Sequence, residues 1–184
     1  MAKIDYIYDA VDDYGLITSA EAAELGMSNA ELVQQACRGR LERVARGVYR
    51  MPVWPSQEHA PYAIAVKAAG EEAFLYGESV VALLGLANTD PTKMWVASPK
   101  RVRRNIGQGT RVLPARGVHP TLIEGVACQP VADAIASAAE TMGPVRAVEA
   151  ARAACKEGYI SFEEKHSIER ELEQYGKTEQ HEAS

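Results

Sequence analysis

Apolar residues recur at helical spacing at the beginning of the chain, where they predict a first helix over residues 3–14. Ile4, Ile7 and Val11 lie on one face of such a helix, and Gly15 follows it as a stop. The chain therefore begins with an amphipathic helix whose apolar side needs a partner.

Two capping-box patterns follow, and each predicts the start of another short helix. Thr18 precedes Glu21 by three residues, and Ser28 precedes Glu31 by the same spacing. In this pattern each side chain of the pair accepts a hydrogen bond from the backbone N–H of the other, which satisfies donors that a helix N-terminus leaves free. A glycine ends each of the two helices.

A short hairpin is predicted directly after the third helix. Strand-like residues at 41–44 and 48–51 flank the turn Ala45-Arg46-Gly47. Pro52 and Pro55 then mark a linker, so we place a domain boundary after residue 56. Three helices followed by a basic hairpin are typical of a winged helix-turn-helix, which we predict for residues 1–56.

The rest of the chain predicts a mixed α/β domain over residues 57–176. Its pattern indicates helices at 60–69, 78–86, 130–142, 145–156 and from Ser161 onwards, and strands at 73–76, 94–98 and 110–113. The polar residues 177–184 predict a disordered tail. The predicted fold class is therefore α+β, with an N-terminal winged helix-turn-helix followed by a mixed α/β C-terminal domain.

Composition and charge narrow the class of protein. The 184 residues are 47% hydrophobic with a formal net charge of −5, which is ordinary for a globular protein and argues against indiscriminate coating of nucleic acid. No apolar run is long enough to span a bilayer, and the first residues lack the apolar segment of a signal peptide. Cys37, Cys128 and Cys155 form no close pair, so we expect reduced thiols and a cytoplasmic protein.

The predicted third helix carries side chains suited to reading bases. A helical projection places Glu31, Gln34, Gln35 and Arg38 on one side. The other side is apolar and consists of Ala30, Leu32, Val33, Ala36 and Cys37. Glutamine and arginine match the donors and acceptors of base edges in the major groove. A solvated surface helix is the alternative, and the position within a helix-turn-helix favours DNA.

The hairpin concentrates positive charge. Residues 34–50 contain five arginines against Glu42 alone, a net charge of +4 in a chain that is negative overall. Arg46 lies at the predicted turn, where it can enter the minor groove or touch a phosphate; a solvated basic hairpin is the alternative. The residues predicted to contact double-stranded DNA are Ser28, Asn29, Gln34, Gln35, Arg38, Arg40, Arg43, Arg46 and Arg50.

A second basic stretch lies in the predicted C-terminal domain. Residues 91–123 contain seven cations and no carboxylate. Such a stretch fits a second surface for nucleic acid, but also an RNA site, a site for an acidic protein or a soluble loop. The residues assigned to this second surface are Lys100, Arg101, Arg103, Arg104, Arg111 and Arg116.

Residues with catalytic or metal-binding spacing are not found. The four histidines are far apart, and neither HExxH nor a paired-cysteine motif occurs. Gly77-Glu78-Ser79 is an incomplete nucleophile elbow. We therefore expect no cofactor, no metal and no catalytic site. The enzymatic alternative is a small nuclease that uses Glu71 or Glu72 together with the second basic stretch.

The segment GLITSAEAAELGMSNAELVQQACRGRLERVARGVYRMP closely resembles the N-terminal region of AbiEi-type antitoxins of bacterial abortive-infection systems, usually called type IV toxin–antitoxin systems. The most specific part is G-x-L-x-R-V-x-R-G-V-Y-R-x-P at residues 39–52. YGESVVALLGL and KMWVASPKRVRRN resemble later family blocks more loosely. The chain departs from the family at Leu84, where members often have histidine, and after Pro130, where many have an Arg-Thr pair.

The resemblance implies two activities. The N-terminal domain would bind inverted repeats in the promoter of its own operon and repress it, with cooperative self-association on the DNA. The C-terminal domain would counteract a nucleotidyltransferase-like toxin without a stable complex. The residues themselves leave one alternative open, a metabolite-responsive winged-helix regulator that acts without a toxin.

Overall fold

The computed structural model describes residues 2–103 and 105–182. The helices are α1 (Lys3–Ala10), α2 (Ser19–Glu24), α3 (Asn29–Cys37), α4 (Ala60–Ala69), α5 (Glu78–Leu83), α6 (Val131–Met142), α7 (Pro144–Glu157) and α8 (Phe162–Glu182). The strands are β1 (Leu16–Thr18), β2 (Glu42–Ala45), β3 (Val48–Arg50), β4 (Phe74–Leu75), β5 (Met94–Ser98), β6 (Thr110–Pro114), β7 (Thr121–Ile123) and β8 (Val126–Cys128). The fold is α+β, as predicted.

The first six elements form a small sheet covered by three helices. The sheet is antiparallel with the strand order β1-β3-β2. The strand β1 is not predicted from the sequence, in which residues 15–18 only separate the first two predicted helices. The predicted first helix also runs too far, to residue 14. Instead α1 ends at Ala10, since the Asp12 carboxylate accepts hydrogen bonds from the N–H groups of Tyr14 and Leu16, both at 2.9 Å. Gly15, at φ +69°, completes the turn into β1.

The helices α1, α2 and α3 enclose an apolar cluster on one face of this sheet. Its fully buried members are Ile7, Ile17, Ala22, Met27, Leu32, Leu41 and Tyr49, with Ile4 at its edge. Ile4 and Ile7, which lie at helical spacing on α1, therefore pack into this cluster as the pattern predicts. The strand β3 is buried on both faces, because Tyr49 points into this cluster and Val48 into another.

The second sheet has five strands in the order β6-β5-β4-β8-β7. The pairs β5–β6 and β4–β8 are parallel, and the other two are antiparallel. The hairpin β7–β8 is not predicted from the sequence. Its turn consists of Glu124 and Gly125, with φ of +50° and +74°, and a glutamate at the first position is not the usual Asn-Gly signal for such a turn. Helices α6, α7 and α8 enclose a separate apolar cluster with α5.

One apolar cluster joins the two sheets. It contains Tyr14, Leu16 and Val48 from the first six elements together with Val66 of α4 and Val96 of β5. The helix α4 packs against all three strands of the first sheet. The N-terminal elements therefore share a core with the rest of the chain.

Polar contacts reinforce the same junction. The carbonyl of Asp13 accepts hydrogen bonds from the Trp54 indole at 3.1 Å and the Gln57 amide at 2.7 Å. The Tyr14 hydroxyl donates to the carbonyl of Glu124 in the β7–β8 turn. The contacts of Gln57 and Glu124 span the linker predicted around Pro52 and Pro55, so the elements on its two sides lie close together.

The last helix, α8, covers residues 162–182 and so includes most of the predicted tail; residues 183 and 184 lie outside the described residues. Ile168 and Leu172 of α8, four residues apart on one face of the helix, are buried. Across residues 2–103 and 105–182, no helix combines the length and apolar character needed to cross a bilayer.

Candidate nucleic-acid interface

The beginning of α3 is held by the capping box that the sequence predicts. The Ser28 hydroxyl accepts a hydrogen bond from the Glu31 N–H at 3.3 Å, and the Glu31 carboxylate accepts one from the Ser28 N–H at 2.8 Å. Lys3 of α1 forms an ion pair with Glu31 at 2.8 Å. The hydrogen bonds from Lys3 and Ser28 lower the pKa of Glu31 to about 2. The Ser28 hydroxyl also donates a hydrogen bond to the Glu31 carboxylate, so this side chain is engaged in capping the helix.

The orientation of α3 differs from the helical projection, which is wrong at four positions. Leu32 is fully buried and sets the inward direction of the helix. Gln35 lies one turn later on the same side; it is half-buried, and its Oε1 is buried with no partner in the described part of the chain. Ala30, Val33 and Cys37, predicted to be inside, are exposed instead. The outward residues of α3 and its C-cap are Asn29, Ala30, Val33, Gln34, Cys37 and Arg38.

The hairpin β2–β3 turns at Arg46 and Gly47. Ala45 pairs with Val48 across the turn, so two residues connect the strands, and a register shift between Arg43 and Ala45 bends β2. The carbonyl of Gly47 accepts a hydrogen bond from the N–H of Ser19, the first residue of α2, at 2.9 Å. The turn is thus fixed to the helix that precedes α3, and the Arg46 side chain is exposed.

A groove separates α3 from the hairpin. It consists of two adjoining depressions that share Val33, Arg43 and the buried Tyr49. One depression extends to Asn29 and Arg46, and the other extends along α3 past Cys37 to Pro52. We call this region the α3–hairpin groove. Its walls are the outward face of α3 and the side of β2 that carries Arg43.

The arginines predicted to contact DNA fall into two groups. Arg38, Arg40, Arg43 and Arg46 are exposed, and none has a carboxylate within ion-pair distance among the described residues. Arg50 differs, because its Nη2 contacts the Glu42 carboxylate at 2.7 Å and its side chain is only 27% exposed. Strand alternation places Arg50 on the same face as Val48, away from the α3–hairpin groove.

The second basic stretch occupies the β5–β6 connection and β6. Lys100, Arg101 and Arg103 lie in the connection, Arg111 on β6 and Arg116 just after it, and all five side chains are exposed. Arg104 lies outside the described residues.

Carboxylates border this second stretch. The Lys100 ammonium forms an ion pair with Glu72 at 2.5 Å, which raises the pKa of Lys100. Glu71, Glu72, Arg101 and Arg103 share one depression of about 390 Å³. In the described part of the chain, no three His, Cys, Asp or Glu side chains gather in a way that would hold a metal ion. The second basic stretch is therefore partly neutralised in space, although its sequence has no carboxylate.

Reasoning from the sequence missed Val33 and Cys37 as outward residues of this surface. The pattern could not identify them, because Leu32, Val33, Ala36 and Cys37 are all apolar and only the tertiary contacts of α3 decide which of them face the core. Lys3, whose ion pair with Glu31 connects α1 to α3, has no local signal either. Both features depend on tertiary contacts.

Residues 6–52 match the model of a family described as "Transcriptional regulator, AbiEi antitoxin". The match confirms the resemblance seen in the sequence. The matched segment contains the second half of α1 and all of α2, α3 and the hairpin, and therefore the α3–hairpin groove. The family is one of regulators. No curated protein matches the chain.

Proposed function

We propose that this chain is a cytoplasmic antitoxin of a type IV toxin–antitoxin system that represses its own promoter by binding inverted repeats. In this proposal residues 1–56 form a winged helix-turn-helix, in which α3 is the recognition helix and the β2–β3 hairpin is the wing. The observation that carries the proposal is the α3–hairpin groove, where amide and guanidinium groups that have no partner among the described residues lie side by side. Phosphates and base edges supply the acceptors that such groups need.

The structure changes which of the predicted residues we assign to base readout. We assign Asn29 and Gln34 to base edges, because both are exposed on the outward face of α3. Gln35 supports the packing of α3 instead. Arg43 and Arg46 contact the phosphates or the minor groove beside the hairpin.

Three further arginines have lesser parts in the proposal. Arg38 and Arg40 lie at the end of α3 and just after it, where they add phosphate contacts. Arg50 stabilises the hairpin through Glu42. Ser28 remains the helix cap.

The C-terminal part of the chain, residues 57–176, counteracts a nucleotidyltransferase-like toxin without a stable complex. The second basic stretch contributes a further DNA contact when two molecules bind neighbouring repeats. The exposure of Arg101, Arg103, Arg111 and Arg116 supports this contact, and the carboxylates beside Lys100 make it weaker than that of the hairpin. This division is what the resemblance to the antitoxin family implies.

Cysteine alkylation tests the DNA-binding half of the proposal. Cys37 is exposed beside the α3–hairpin groove, so a duplex that covers α3 should protect it from N-ethylmaleimide. Cys155 on α7 should react equally with and without DNA. Cys128 should stay unmodified in the folded chain, because it is fully buried and burial raises the pKa of its thiol to about 12. Peptide mass spectrometry measures all three rates, and unchanged alkylation of Cys37 at saturating DNA would contradict the proposal.

Co-expression with a candidate nucleotidyltransferase-like toxin tests the antitoxin half. We expect the full-length chain to restore growth of cells that express the toxin. A full-length Arg43→Ala/Arg46→Ala variant should restore growth equally but fail to repress a reporter driven by the operon's promoter, because neutralisation does not use the groove. Absence of rescue by the wild-type chain at matched expression would remove the antitoxin activity and favour the metabolite-responsive regulator.

A further inference from the structure

Val33 places an apolar group in the middle of a polar surface. Its side chain is 43% exposed, whereas the neighbouring Leu32 is fully buried and supplies the contact of this helical turn with the core. Val33 lies one turn after Asn29 and directly before Gln34, the two residues assigned to base edges. It also lines both depressions of the α3–hairpin groove. The core therefore does not explain why this position is apolar.

The charges around Val33 favour a polyanion as its partner over a second copy of the chain. Arg43 and Arg46 line the groove together with Val33, and neither has a carboxylate partner among the residues described. A two-fold contact through this face would set the same arginines of two copies against each other. A DNA duplex presents phosphates to the arginines and base edges to the residues between them.

We propose that Val33 contacts the 5-methyl group of a thymine in each half-site of the operator. The inference rests on the DNA-binding function proposed above and names a base that it recognises. In the major groove the ordinary bases present polar atoms, and thymine alone adds a methyl group, which apolar side chains contact. The flanking amides of Asn29 and Gln34 match adenine. The outward face of α3 is thus suited to a step that contains adjacent A·T pairs.

Replacing thymine by uracil tests this contact, because it removes the methyl group and leaves the base pairing intact. The probe is the inverted-repeat duplex that the full-length wild-type chain selects from a random pool, with each thymine replaced in turn. At one position per half-site we expect uracil to weaken wild-type binding about fourfold, as loss of one buried methylene-sized group implies. Fluorescence anisotropy measures the affinities.

The Val33→Ala variant completes a double-mutant cycle. Alanine is the best helix former, so α3 is expected to keep its fold, which circular dichroism checks. For this variant the same uracil substitution should change affinity less than about 1.5-fold, because the partner of the methyl group is absent. Val53→Ala serves as the matched control, since Val53 is 84% exposed and lies outside the α3–hairpin groove. It should show the full wild-type effect of uracil.

The outcomes separate this inference from the function on which it rests. Specific binding with equal uracil effects in the wild-type and Val33→Ala chains would overturn the thymine contact and leave the DNA-binding function standing. A failure to select any duplex would overturn both. A change of oligomeric state in Val33→Ala without loss of the uracil effect would assign Val33 to a contact between copies and likewise overturn the inference.

Discussion

Replacing Arg43 and Arg46 together with alanine is expected to weaken binding to every DNA duplex, whatever its sequence. Both guanidinium groups are exposed beside the α3–hairpin groove, so we expect them to neutralise phosphates and release counterions. The slope of log K against log salt concentration should therefore become shallower by about 1.8, or about 0.9 for each phosphate contact. Titrations of the selected duplex and of a scrambled duplex over a series of salt concentrations measure this slope.

A charge-matched variant separates local contact from net charge. Arg146→Ala/Arg170→Ala removes two exposed arginines from α7 and α8 and lowers the net charge equally. We expect it to keep the wild-type slope. Gln34→Ala should lose about 1–3 kcal/mol on the selected duplex and little on the scrambled one, because it affects base readout. Equal slopes in the wild type and the two double-arginine variants would show that the hairpin does not contact DNA.

Leu16→Ala is expected to destabilise the whole chain by about 2–5 kcal/mol, the cost typical of a leucine truncated in a well-packed core. Leu16 is 1% exposed and belongs to the cluster that contains residues of both sheets. Its loss should therefore lower the stability of the N-terminal and C-terminal parts together. Urea denaturation in single-tryptophan backgrounds measures this, with Trp54 reporting on the junction and Trp95 on the second sheet.

The matched control for Leu16 is Leu122→Ala on β7. Leu122 is 78% exposed, so the same change there should alter stability by less than about 0.5 kcal/mol. Both tryptophans should report one transition that moves to lower urea in Leu16→Ala. If the Trp54 transition moves and the Trp95 transition stays in place, the two parts fold separately and the shared core does not couple them.

The N-terminal elements were largely predictable because their signals are local. A capping box needs residues only three positions apart, and the boxes at Thr18 and Ser28 both form. The short strand β1 was not predictable, since its three residues gain their partners from β3, thirty or more positions later. The β7–β8 hairpin was missed for a related reason, because Glu124 occupies a turn position where sequence rules expect asparagine or aspartate.

The candidate site was predictable in composition and only partly in geometry. The sequence located the basic hairpin and the helix before it, and it identified Arg43 and Arg46 as exposed cations. It did not identify which side of α3 faces outward, because a nine-residue helix with apolar residues on more than one side has no unique projection. It also could not show that Glu42 pairs with Arg50, which depends on the cross-strand register.

The hydrogen bond from Ser19 to the Gly47 carbonyl has a consequence for affinity. It holds the hairpin tip at a set distance from the start of α2, and α3 follows α2 after a short turn. The helix α3 and the hairpin, which we propose to contact the duplex, are thus held in place before binding, so little conformational entropy is lost on association. In the proposed complex, the spacing of the half-sites then depends on how the α3 and hairpin units of two molecules are placed relative to each other. A duplex with a spacer of the wrong length must twist or bend to contact both units.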